Sequence, residues 1–369
     1  MENVLYKILV TGTAPELFPV ETLFGLLYYH GDEVLEITKQ YPFQGGWDSS
    51  PKNIHIFERI EYPMPKKIDL VWISIVEQKA YSVETLLPTD YMQKCWESFA
   101  KKERDDYCYI NVGMASYGGM AVWICSNSKS FLVSWIKADP FEIDEELFKL
   151  LNNGNTYRQL CLNYITLDSR VRENLHKNGL PPRDLFDNYM KQFTYRYQVE
   201  FGHWDEEKEV WSKDDGTLQT ASSANTDQPT PHINHPSPEF DYIEEALYDG
   251  THDKLHDGGL MKYHEAGKPK KLVVRWHIEK KEWTAYFWFE DEEIRRVFDR
   301  FYGVHPETKT DFLFHIDPDK NKYELSLYRF GKSEPQIIGE TAYQLIVFKN
   351  MFECFRSKNY NQPRGAWIW

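Results

Sequence analysis

The sequence predicts an α+β fold: two related units, each an antiparallel sheet with a packed helix, joined by a flexible linker. Three observations carry this expectation. A hairpin-then-helix pattern occurs twice at an offset of 202 residues, which sets "EQKAYSVETLLPTDYMQKCWESF" from Glu77 against "EKKEWTAYFWFEDEEIRRVFDRF" from Glu279. Short β-prone runs separated by compact turns fill both halves, and such turns favour antiparallel pairing. Between the halves lies "SKDDGTLQTASSANTDQPTPHINHPSPEF", residues 212–240, rich in Ser, Thr, Pro, Asn and Asp and nearly devoid of aliphatics. Text of that kind cannot bury enough apolar surface to offset its chain entropy. The expected organisation is a domain over 1–211, a linker over 212–240 and a second, related domain over 241–369.

In the first unit, "IDLVWISIVEQKAYSVE" from Ile68 sets a charged turn, Glu77-Gln78-Lys79, between two β-prone stretches and reads as a hairpin. Met92, Cys95, Trp96 and Phe99 follow at i, i+3, i+4, i+7, the spacing that lines one helical face. Three strands come next, "YCYINVG", "GMAVWIC" and "FLVSWIKA". The pair Gly118-Gly119 between the first two reads as a hairpin turn. A phosphate-binding loop needs a helix directly after its glycines, and Met120 to Cys125 is strand-like instead.

"IDEELFKLLNNG" is an expected helix with Asp144 as N-cap and Gly154 as its stop. A longer helical stretch from Tyr157 would put Leu160, Tyr164, Leu167, Val171 and Leu175 on one face, and "PRDLFDNYMKQF" continues from Pro182. "FTYRYQVEF" alternates Tyr195, Tyr197, Val199 and Phe201 with polar residues, a half-buried strand.

The second unit opens on the hairpin "KLVVRWHIEKKEWTAYFWF" from Lys271. Its helix buries Ile294, Val297, Phe298 and Phe301. Acidic residues Glu290 to Glu293 sit at the start and Arg295, Arg296 and Arg300 further on, as the helix dipole prefers, and Gly303 can end it. "DFLFHID", "KYELSLYRF" and "PQIIG" read as strands around the turn Asp317 to Lys322. "ETAYQLIVFKNMFECF" reads as a helix burying Leu345, Phe348, Phe352 and Phe355.

Composition narrows the function classes. The 369 residues are 41% hydrophobic, enough for a sizeable core, while a mean hydropathy of -0.61 and short apolar runs speak against a membrane helix. The net charge of -14 and the absence of a long basic run disfavour a nucleic-acid backbone site. Twelve Trp, 24 Tyr and 22 Phe suit a β-rich core and contact surfaces. Cys95, Cys108, Cys125, Cys161 and Cys354 are odd in number and form no CxxC, which reads as reduced thiols in a cytoplasmic protein. The first twenty residues carry no pattern of an export signal.

The order of "GTAPELFPVETLFG", "LVWISIVEQKAYSVETLLP", "YINVGMASYGGMAVWI" and "FTYRYQVEF" resembles a bacterial domain-of-unknown-function family, number twenty-nine thirty-one, in an extended Bacteroidetes-type form. The residues that carry the resemblance are Val112, Gly113, Gly118, Gly119, Val122 and Trp123, and it spans roughly residues 4–210. Tyr117 stands where the family places a small residue or proline. The resemblance supplies no catalytic residues. It implies a structural role for the glycine pair and an association with toxin immunity or secretion. Many family members look like envelope lipoproteins, and the anchoring cysteine of that kind is not found near this N-terminus.

The richest polar cluster is "YDGTHDKLHDGGLMKYHEAG" from Tyr248. His252 and His256 lie four apart, one helical turn if helical, with Asp253, Asp257, His264 and Glu265 nearby; such pairs can ligate zinc when a third group joins them. The favoured reading is a polar connecting loop, so no catalytic, cofactor or metal residue is assigned. His232 and His235 fall in the linker. No GxSxG occurs, and Cys161 and Cys354 sit in apolar helical stripes unsuited to a nucleophile. The ending Trp367-Ile368-Trp369 is expected either to tuck into a core or to dock a partner. The expected function is a non-catalytic protein-binding factor of the immunity or accessory kind, with a basic, toxin-like protein partner, no nucleic acid and no membrane insertion. The alternatives are a metal-dependent hydrolase built on His252 and His256, and an aromatic-lined sugar-binding module.

Overall fold

The structure is a computed structural model that describes residues 5–29, 33–37, 46–47, 60–106, 108–205, 210–213, 218–219, 239–256, 262–278, 281–303, 309–317, 322–329, 336–337 and 341–348. It divides into two compact units, residues 1–191 with 246–253, and residues 192–245 with 254–369.

The first unit begins with β1 (Tyr6–Ile8), β2 (Val10–Thr13), β3 (Val20–Tyr28), β4 (Val34–Glu36), β5 (Ile60–Tyr62), β6 (Lys67–Ser74) and β7 (Lys79–Leu86). Helices α1 (Thr89–Ser98) and α2 (Lys101–Asp106) follow, then β8 (Tyr109–Met114), β9 (Gly119–Cys125), β10 (Ser130–Lys137) and β11 (Asp139–Phe141). Four short helices close it: α3 (Glu145–Leu151), α4 (Tyr157–Leu167), α5 (Ser169–Asn178) and α6 (Leu185–Tyr189).

Two sheets form the body of this unit. One runs β11-β7-β6-β3-β4, the other β10-β9-β8-β2, and in the latter β2 lies parallel to β8. The expected single antiparallel sheet is therefore two sheets, one of which holds a parallel pair. Alternation explains the layering. Leu70 and Trp72 of β6 and Val112, Val122 and Ile124 of β8 and β9 share one core with Met92, Cys95 and Trp96 of α1. Ile73 and Ala80, pointing the other way, pack with Phe148 of α3 and Cys161 of α4. Tyr109, Ala121, Trp123 and Cys125 pack with Trp47 and with Leu185 and Phe186 of α6. Strands β8 and β9 are thus buried on both faces, as the unbroken apolar text of β9 requires.

The second unit contains β12 (Phe193–Asp205), β13 (Val210–Lys213), β14 (Leu218–Gln219), most of β15 (Glu239–Leu247), the end of β16 (His252–His256), β17 (His264–Ala266), β18 (Pro269–Ile278) and β19 (Lys281–Phe289); residues 246–247 of β15 and 252–253 of β16 fall in the first unit. Then come α7 (Asp291–Tyr302), β20 (Lys309–Asp317), β21 (Lys322–Arg329), β22 (Gln336–Ile337) and β23 (Thr341–Phe348). One sheet runs β23-β19-β18-β15-β16; the other runs β22-β21-β20-β12-β13-β14 with β17 also on β12, and β12 lies parallel to β20. Its core is aromatic: Tyr195, Tyr197, Phe298, Phe312 and Phe314 touch through their rings.

Three local expectations are corrected. The segment from Thr341 is a strand, not a helix, over residues 341–348. Its apolar residues fit a helical period, but eight consecutive pairings with β19 decide its state; Phe352 and Phe355 lie outside the described residues. The long helix from Tyr157 is two helices. Asp168 adopts an extended backbone (φ -90, ψ 103), its carboxylate accepts from the amides of Arg170 and Val171, and so it caps α5 instead of continuing α4. Leu167, expected on the buried stripe, is 84% exposed in consequence. Finally, His252 to His256 is a strand, not a loop or a helical turn. Within 212–240, Ser212, Lys213, Leu218, Gln219, Glu239 and Phe240 lie in strands; the rest falls outside the described residues, as do the turn 318–321 and the Trp367–Trp369 ending.

Candidate functional site

The glycine signature resolves first. Gly118 ends a single 3-10 turn, Ser116–Gly118, that joins β8 to β9, so the hairpin reading holds. Gly118 has φ +72, and a Cβ there would stand 2.6 Å from the Ala138 carbonyl oxygen. A Cβ on Gly113 would stand 2.5 Å from Cη2 of Trp123, and one on Gly119 would stand 2.9 Å from Cζ2 of Trp135. The glycines thus clear the space that two indole rings fill across the strands. Trp123 is fully buried and its Nε1 donates to the Asp249 carbonyl at 3.0 Å.

At the turn, the amide of Tyr117 donates to Glu77 Oε2 at 2.7 Å and its hydroxyl donates to the Pro181 carbonyl at 2.8 Å. Tyr81 donates to Glu77 Oε1 at 2.9 Å. A protein carboxylate therefore occupies the amide that a phosphate would use. Tyr117 itself sits at φ 58, and both its polar groups are engaged in holding the turn.

The histidine cluster separates. His252 and His256 stand at opposite ends of β16, and residues four apart on a strand lie about 13 Å from each other. His252 Nε2 is 3.1 Å from the Ser126 carbonyl and its amide donates to Ser130 Oγ at 2.8 Å. Asp253 pairs with Lys129 at 2.5 Å. The ring of His256 meets that of Tyr242 edge-on, 5.9 Å between centroids. Asp257, His232 and His235 lie outside the described residues. No group of three His, Cys, Asp or Glu poised for a metal ion occurs among the described residues.

His264 joins a different set. Its Nε2 stands 3.7 Å from Oε1 of Glu245, a carboxylate in a residue only 3% exposed. Tyr197 donates to Glu245 Oε2 at 2.6 Å, and Tyr195 donates to the Gly267 carbonyl at 2.8 Å. Burial first, then the Glu245 charge, drives the Tyr197 hydroxyl well above the ordinary phenol range, so it remains a hydrogen-bond donor. On β20, His315 sits between two carboxylates of neighbouring strands, 3.2 Å from Glu200 Oε2 and 3.5 Å from Glu324 Oε1. Burial pulls its pKa down, but the hydrogen bonds and charges of Glu200 and Glu324 outweigh that and the net direction is up. Arg196 forks onto Asp311, which also accepts from Tyr263 at 2.7 Å. These are cross-strand ties, and the alternation of β12 shows only one side of each; Glu245, Asp311 and Glu324 come from strands distant in sequence.

Cys95, Cys108, Cys125 and Cys161 are buried, and none of the four is in a disulfide. Burial pushes Cys161 up to about 12 and raises Cys95 and Cys125 as well, which suppresses the thiolate a nucleophile needs. Cys354 lies outside the described residues.

Several large apolar side chains remain in water. Helix α3 is capped by Asp144, whose carboxylate accepts from the amides of Glu146 and Leu147, and it buries Phe148. Its other apolar residues face out: Leu147 is 53% exposed, Leu150 79% and Leu151 73%. They fall at i, i+3, i+4, one helical face. Leu162 and Leu167 of α4, and Leu180 after α5, are exposed too. The sequence predicts only a helix and its cap for this segment. The outward leucines leave one trace there: Leu147, Phe148, Leu150 and Leu151 cover more of a seven-residue helix than a single buried stripe can use.

Residues 7–182 match the family model described as Protein of unknown function (DUF2931). No curated protein and no solved structure matches the chain.

Proposed function

We propose that this chain, whose residues 7–182 carry that family's signature, is a non-catalytic protein-binding factor of the immunity or accessory kind, taking a basic protein as its partner. The observation that carries the reading is the set of leucines held in water on α3 and α4 while their neighbours are buried. Large apolar side chains gathered outside a core mark a contact surface more often than an accident of packing. The net charge of -14 would steer a cationic partner towards the chain. The signature glycines and tryptophans support the same reading because their space is taken up by each other. We place the protein in the cytoplasm, where the buried thiols would stay reduced; no helix among the described residues is long and apolar enough to cross a membrane.

We further infer that the two units are copies of one building block. The support is positional. Strand β6 starts at Lys67 and β18 at Pro269, β7 at Lys79 and β19 at Lys281, α1 at Thr89 and α7 at Asp291, each pair 202 residues apart. The strand orders β11-β7-β6-β3-β4 and β23-β19-β18-β15-β16 correspond member by member, as do β10-β9-β8-β2 and β22-β21-β20-β12.

The test is cross-linking of the tagged full chain in its native host, followed by reconstitution from the two purified components. A stoichiometric complex that weakens with added salt is the expected result. Failure of every recovered protein to re-form a complex in purified form overturns the reading. Metal analysis of the same preparation separates off the hydrolase alternative: an equivalent of bound zinc or manganese would favour it.

A further inference from the structure

Resting on the protein-binding reading, we infer that the outward face of α3, formed by Leu147, Leu150 and Leu151, is the docking surface, and that its occupant is a basic amphipathic helix of a partner protein. Three features point there. Leu147, Leu150 and Leu151 are 53%, 79% and 73% exposed, and no other described helix sets three large apolar side chains, each more than half exposed, on one face. The anchor beside the face is firm: Phe148, on the flank of the same helix, is buried in the cluster with Ile73, Ile75, Ala80 and Cys161, so the leucines are held by a packed neighbour. Apolar anchors at helical spacing are the form in which one helix receives another.

The acidic end selects the occupant. Glu142, Asp144, Glu145 and Glu146 lead directly into Leu147, against Lys149, which is paired with Glu146 at 2.8 Å. An acidic N-terminal end leading into an apolar strip fits a segment with leucine-like residues on one side and lysine or arginine beside them. A second copy of this chain would bring two acidic ends together in a molecule already at -14, and an anionic lipid surface would be repelled in the same way. Charge complementarity therefore chooses a cationic protein helix over both.

The experiment uses the full chain and a synthetic helical peptide of leucine and lysine, with a leucine–glutamate peptide of the same pattern as its counterpart, read by fluorescence anisotropy. The variant is the triple Leu147→Gln, Leu150→Gln, Leu151→Gln. Because these side chains are exposed, its circular dichroism and melting temperature should match the parent, which confirms folding. Expected is saturable binding of the leucine–lysine peptide by the parent, about thirty-fold or more weaker binding by the variant, and at least roughly tenfold weaker binding of the acidic peptide. Equal binding by parent and variant, equal binding of both peptides, or none by the parent would each overturn the proposal. So would a parent that is dimeric and a variant that is monomeric by light scattering, or a parent that floats with anionic vesicles yet ignores the peptide. If the native complex described above forms with the parent and equally with the variant, the face is wrong and the protein-binding reading stands. If it forms with neither, that reading fails as well.

Discussion

Replacing Gly113 with alanine tests the physical role assigned to the signature. A Cβ at this position would sit 2.5 Å from Cη2 of Trp123 and 3.1 Å from Nε1 of Trp47, where ordinary contact is about 3.5–4 Å. The Trp123 ring must retreat by about 1 Å, in a fully buried site where it also packs against Trp47 with centroids 5.6 Å apart. Overpacking of this kind costs about 1–3 kcal/mol. The retreat also draws Nε1 away from the Asp249 carbonyl, and a buried donor left unpaired adds about 1–3 kcal/mol. Lower entropy of the unfolded chain returns about 0.4–1 kcal/mol. The balance is a loss of about 2–4 kcal/mol, which lowers the melting temperature of a unit this size by about 5–15 °C. Thermal unfolding followed by near-ultraviolet circular dichroism and tryptophan fluorescence reads it directly. Adding Trp123→Phe should recover part of the loss, because the smaller ring vacates the space the methyl needs, so the double variant is less destabilised than the two singles combined. A Gly113→Ala protein that melts within about 1 °C of the parent would refute the close approach of Gly113 to Trp123 as the reason a glycine stands there.

Other consequences follow from the same geometry. His315 has a raised folded-state pKa, so its contribution to stability is fully present below about 6.5, the unfolded value, and is lost as pH rises through the folded value. Denaturant titrations from acid to alkaline pH should therefore show the parent losing stability relative to His315→Gln as pH rises; a difference that is flat with pH would remove the charge role of Glu200 and Glu324. Tyr197→Phe deprives the buried Glu245 carboxylate of its 2.6 Å donor and should cost about 1–3 kcal/mol in chemical denaturation, whereas Tyr28→Phe, taken as a reference at a partly exposed position, should stay within about 0.5 kcal/mol. Asp168→Ala removes the cap of α5 and should cost about 0.5–2 kcal/mol, with hydrogen exchange speeding up first at Arg170 and Val171; unchanged exchange there would mean the cap is redundant.

Much of the local structure is legible in the text because it depends on neighbours in the chain. The hairpin around Glu77-Gln78-Lys79, the α1 stripe of Met92, Cys95 and Trp96, the Asp144 cap and the turn at Gly118 are each decided within a dozen residues. Local pattern misleads where a distant partner or a competing side chain wins. Strand β23 forms because β19 lies beside it, and the helix from Tyr157 breaks because Asp168 hydrogen-bonds the amides of the next turn. The histidines diverge from expectation for a related reason: a spacing of four means one turn on a helix and about 13 Å on a strand, and only pairing decides which.

The sequence by itself determined the α+β class, the positions of both hairpin–helix segments and the use of the glycine pair as a turn. Periodicity and turn chemistry act over short range, so they are written where they operate. Only the tertiary structure decided that Gly113 and Gly119 accommodate tryptophans, that Glu245 meets Tyr197 and His264, and that the leucines of α3 face water. Those outcomes depend on which surfaces the sheets leave covered, a property of the packed chain that no local stretch contains.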